Sequence, residues 1–68
     1  MWPTLTGEQF FAVLRRYGWT LIIDDGFWRA CRDQGAIEVR LRFLQETTLL
    51  PEDVALWADR VGLTLNDF

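Results

Sequence analysis

Apolar side chains first recur along this chain at helical spacing. After Thr6, the residues Phe10, Val13, Leu14 and Tyr17 fall at i, i+3, i+4 and i+7, the stripe by which an amphipathic helix meets a core. Thr6 with Gln9 three residues on has capping-box spacing, and Gly18 stands where a left-handed residue closes a helix. A helix is therefore predicted from about Gly7 to Tyr17. The pattern then changes period. Trp19-Thr20-Leu21-Ile22-Ile23-Asp24 is dense in β-branched and aromatic side chains, and the following Asp25-Gly26 suits a type I′ hairpin turn.

With Asp25-Gly26 as the loop, Asp24 faces Phe27, Ile23 faces Trp28, Ile22 faces Arg29 and Leu21 faces Ala30. A second turn at Gln34-Gly35 sets Asp33 against Ala36, Ala30 against Val39, Arg29 against Arg40, Trp28 against Leu41 and Phe27 against Arg42. Each register places Trp28 and Ala30 on one face, which also carries Leu21, Ile23, Ile37, Val39, Leu41 and Phe43. A slip of one residue would turn that whole set outward, so the pattern specifies the pairing. Gln45 to Leu50 reads as a connection, and Pro51-Glu52-Asp53 as a helix start. Val54, Trp57, Ala58 and Val61 share one face of that helix, Gly62 ends it, and Leu63 or Leu65 of the apolar tail is expected to pack back onto the sheet. The order α-β-β-β-α predicts a two-layer α+β fold, a three-stranded antiparallel sheet with two helices on one face. Residues 1–68 form a single domain.

Composition removes most chemistry. The chain has 68 residues, one cysteine and no histidine, so an intramolecular disulfide, a Cys/His zinc site and histidine acid–base catalysis are excluded. Adjacent Asp24 and Asp25 point to opposite sides of a strand, and Glu52-Asp53 suits a helix N-terminus without a third acid at metal-ligand spacing. Serine is absent, Thr47 and Thr48 lack a histidine base, and no glycine pair has phosphate-loop spacing. Cys31 falls on the outer sheet face beside Thr20 and Glu38, next to a carboxylate rather than an activating base, and reads as inert. No catalysis, cofactor or metal is expected. The apolar run Trp19 to Ile23 is far below the roughly 20 residues of a membrane span, and Met1-Trp2-Pro3 lacks the basic start of a signal peptide. A cytoplasmic protein without a membrane partner is expected.

Charge points to one surface. The net charge is −3, which disfavours tight nonspecific binding to nucleic acid. Every basic residue is an arginine, and all but Arg60 lie between Arg15 and Arg42. On the sheet face opposite the core, the registers gather Ile22, Phe27, Arg29, Arg40 and Arg42. Aromatic side chains fringed by arginine are the composition of interface cores, so these five residues are the candidate protein-binding patch. The competing reading is a solvated face on which Asp24 and Glu38, diagonal to Arg29, satisfy the charges. Trp19, Trp28 and Trp57 fall on core faces. Trp2 suits a helix staple or an exposed anchor, and with Phe11 and Leu56, which lie off their helices' main stripes, it forms a second candidate patch, a homodimer contact.

From Gly7 to Asp33, a helix ending in Tyr17-Gly18-Trp19, a strand, a tight turn and a second strand resemble the opening of HicA-type toxins. The Leu50-Pro51 helix opening and the Val61-Gly62-Leu63 ending resemble that family's last helix. The resemblance implies the α-β-β-β-α arrangement of a double-stranded-RNA-binding domain and a functional face buried against a protein partner. The family's messenger-RNA cleavage depends on a histidine near the start of the second strand. This chain reads Gly26-Phe27-Trp28-Arg29 there, so the toxin activity does not carry over. The expected function is a non-catalytic protein-binding module, an inhibitor or regulator of the compact kind that phages and plasmids encode. The alternative is an RNA-binding domain in which the arginine face meets phosphates and Phe27 stacks a base.

Overall fold

Thr6 opens the first helix as its spacing with Gln9 predicts: its hydroxyl accepts from the Gln9 N–H at 3.1 Å, and the Gln9 side chain accepts from the Thr6 N–H at 2.8 Å. In the computed structural model, which describes all of Met1–Phe68, that helix is α1 (Gly7–Arg16). Its end is a Schellman motif: Gly18 has a φ of 87°, its N–H reaches the Arg15 carbonyl at 3.1 Å, and the Trp19 N–H reaches that of Leu14 at 3.1 Å.

Strands β2 (Thr20–Asp24), β3 (Phe27–Arg32) and β4 (Ile37–Leu41) form the antiparallel sheet in the order β2-β3-β4. Asp25 and Gly26 both have positive φ, 51° and 78°, as a type I′ turn requires. The pairs Ile22 with Arg29, Ile23 with Trp28, Arg29 with Arg40 and Trp28 with Leu41 match the expected registers. Both ladder ends of β4 fall short of expectation. Asp33 and Ala36 do not pair because Asp33, Gln34 and Gly35 all adopt left-handed φ, which widens the turn, and β4 leaves the ladder after Leu41 instead of carrying Arg42 opposite Phe27.

The connection before the second helix contains a strand that periodicity did not indicate. Leu5–Thr6 (β1) pairs antiparallel with Thr48–Leu49 (β5), and two residues each are too short to carry an alternation. This small sheet fastens the start of α1 to the start of α2 (Pro51–Arg60). The Asp53 carboxylate accepts from the Leu50 N–H at 3.1 Å, satisfying an amide just ahead of α2. Gly62, with φ of 73°, closes α2 in the same Schellman geometry. A 3-10 turn, Leu65–Asp67, ends the chain. No helix is long and apolar enough to cross a membrane.

The core lies between the helices and one sheet face. Phe10, Phe11 and Leu14 of α1 and Val54, Trp57 and Val61 around α2 pack with Ala30, Leu41 and Phe43 from the sheet side. Phe11, expected off the apolar stripe, has 0% exposure. Its ring stacks on Phe43 at 5.5 Å and meets Trp28 at 5.1 Å, while neighbouring Phe10 contacts Phe68 at 5.5 Å. Helix α1 is thus covered by the sheet on one side and the chain's tail on another, which widens its buried sector beyond a single stripe. Trp2 is half-buried with its ring edge against Phe68 at 5.9 Å, a packing role and not a free anchor. Of the tail leucines, Leu63 packs against the core and Leu65 stays exposed. Ile23 and Ile37 lie on the core face of the sheet yet remain exposed, because each helix has ten residues, spans about 15 Å and leaves the sheet's outer strands uncovered.

Candidate functional site

The uncovered face carries Thr20, Ile22 and Asp24 from β2, Phe27, Arg29 and Cys31 from β3, and Glu38 and Arg40 from β4, with Arg42 just beyond the ladder. Alternation along each strand sends these side chains away from the core. Arg29, at the centre, is held on both sides: its guanidinium lies 2.8 Å from Glu38 and 3.4 Å from Asp24. Its Nε has no partner. This part of the face resolves its own charge, as the solvated-face reading expected. Cys31 is on the outer face between Thr20 and Glu38 and is largely buried, with 8% exposure.

The other end of the face is different. Phe27 is 52% exposed. The Arg40 guanidinium lies 5.8 Å from the centre of its ring, a cation–π contact. Neither Arg40 nor Arg42 has a carboxylate within ion-pair distance. Because β4 leaves the ladder after Leu41, the backbones separate beside Phe27 and open a groove of about 490 Å³, lined by Gly26, Phe27, Arg40, Arg42 and Leu44 among others. The groove thus offers an apolar floor and cations without a carboxylate of this chain.

Of the five expected site residues, Phe27, Arg40 and Arg42 converge on this groove, whereas Ile22 and Arg29 belong to the ion-paired part of the face. The second candidate patch does not assemble: Phe11 is in the core, Trp2 leans on Phe68, and only Leu56, 48% exposed, keeps a free apolar surface. Leu44, 41% exposed at the groove, escaped the sequence reading because it lies past the strand, where alternation no longer assigns a face.

The two groups with displaced ionisation sit elsewhere and serve the fold. Asp67 is held below its ordinary carboxylate value, first by the Thr64 backbone N–H and then by the Tyr17 hydroxyl, and Tyr17 is raised in return, first by its hydrogen bond to Asp67. No protein-family model matches this chain, and neither a characterised protein nor a solved structure matches it.

Proposed function

We propose that this protein is a non-catalytic binding module of the cytoplasm, which inhibits or regulates a partner protein by occupying part of its surface. The observation that carries the reading is the groove beside Phe27: a half-exposed aromatic ring under Arg40, with Arg42 beside it and no carboxylate of this chain answering either cation. A partner surface that inserts an apolar side chain against Phe27 and brings carboxylates to Arg42 would satisfy both, and aromatic and arginine side chains are the residues that most often dominate such contacts. The reading also takes up the HicA-type resemblance of the sequence, whose fold carries a functional face for a protein partner. With Phe27 and Trp28 where that family needs its histidine, the same frame would bind without cleaving.

Capture from nuclease-treated lysate, with the wild-type chain compared with Phe27→Ala and Arg42→Glu, tests the reading. A protein retained by the wild type and lost by both variants is expected. RNA retained in the absence of nuclease, with affinity falling steeply as salt rises, would replace the protein reading with phosphate recognition.

A further inference from the structure

The sheet has two open edges, β2 and β4. An unpaired strand edge is a template for another strand, and the residues of β4 are arranged to select one particular strand. The two-residue turn makes Asp24 and Phe27 a hydrogen-bonded pair, and antiparallel alternation then directs the Glu38 and Arg40 N–H and C=O groups outward from the sheet. We propose that β4 pairs antiparallel with β4 of a second copy of this chain about a two-fold axis through Val39, joining two three-stranded sheets into one of six strands.

Charge complementarity fixes the occupant and the register. In that pairing Val39 faces Val39 of the second copy, Ile37 faces Leu41, and Glu38 faces Arg40 twice over. Arg40 stands directly opposite Arg29, with Arg42 two residues on along the same face, and lacks a carboxylate in its own chain. The second copy supplies one at the position where cross-strand pairs interact. Glu38, 45% exposed on its side chain while bound to Arg29, keeps room for a second cation. The arrangement also gives Ile37, 45% exposed on the core face, an apolar neighbour. Self-pairing of β2 about Ile22 would instead set Asp24 against Thr20 and match no opposite charges.

Sedimentation equilibrium over a concentration series is the test, with circular dichroism to check folding. The wild-type chain is expected to form a reversible dimer that weakens with added salt. Arg40→Glu replaces two opposite-charge pairs with two like-charge pairs and is expected to weaken association roughly tenfold or more. Glu38→Arg should do the same, and an equimolar mixture of these two folded variants should dimerise again, since each supplies the charge the other lacks. If Glu38→Arg unfolds for want of the Arg29 partner, Val39→Cys gives a second readout. Position 39 lies on the axis in a non-hydrogen-bonded pair, where the Cα atoms come within about 4.5 Å, so mild oxidation should yield a covalent dimer, whereas Ile22→Cys should not. Phe27→Ala should leave the dimer intact, which separates this pairing from the groove. A chain monomeric at every concentration, or a dimer that survives Arg40→Glu and is lost on Ile23→Lys, would overturn the proposal.

Discussion

Phe11→Ala separates the observed core from a reading in which this residue is a surface contact. Phe11 is fully buried, stacked on Phe43 at 5.5 Å and against Trp28 at 5.1 Å. Truncation removes the transfer energy of the ring and leaves a cavity between two other aromatic rings that cannot close in a sheet-backed site. The expected loss is about 3–5 kcal/mol, against a total of roughly 3–10 kcal/mol for a chain of 68 residues. The variant should therefore be partly or wholly unfolded without denaturant at 25 °C. Phe11→Leu, which keeps most of the volume, should cost less than about 1.5 kcal/mol and unfold in a urea melt with an unchanged slope. Urea titration followed by tryptophan fluorescence reads both. A loss below about 1 kcal/mol for Phe11→Ala would mean that the ring is not enclosed between Phe43 and Trp28.

Gly7→Ala should destabilise by about 2 kcal/mol or more in the same melt, because an added Cβ would meet the Leu44 backbone carbonyl, and the chain cannot retreat while the Gly7 N–H holds the Thr47 carbonyl at 2.8 Å. Thr6→Ala removes the hydroxyl that accepts from Gln9 and should cost about 1 kcal/mol. Asp67 has a carboxyl pKa lowered from 3.8 by the Thr64 N–H and the Tyr17 hydroxyl. Its contribution is present above 3.8 and lost as pH falls through the lower folded value, so Asp67→Asn should flatten the acid side of the stability–pH curve and leave its neutral shape unchanged.

Strand pairing was the most legible feature because one face of a sheet must be apolar and the side-chain period is two, so Trp28, Ala30, Val39 and Leu41 constrain one another. The capping box at Thr6 and the glycine helix ends were equally readable, since each is a local arrangement. Features that depend on distant segments were hidden. The burial of Phe11 comes from Trp28 and Phe43, which the sheet brings onto α1 from distant parts of the chain, and the β1–β5 pair joins residues more than forty positions apart. At the candidate site, alternation brought Phe27, Arg40 and Arg42 to one face. It could not show that Arg29 takes both nearby carboxylates or that β4 turns away after Leu41, and those two facts move the centre of the face from Arg29 to the groove.

The central claim is that the groove beside Phe27 binds a protein. The direct measurement is titration calorimetry of the captured partner with wild-type chain, Phe27→Ala, Arg42→Glu and, as an exposed control outside the groove, Leu56→Ala. Each groove variant is expected to weaken binding by about 2 kcal/mol or more, the scale of an interface hot spot, with Leu56→Ala unchanged and only a modest dependence on salt. Equal affinity for wild type, Phe27→Ala and Arg42→Glu, all three folded, would contradict the account.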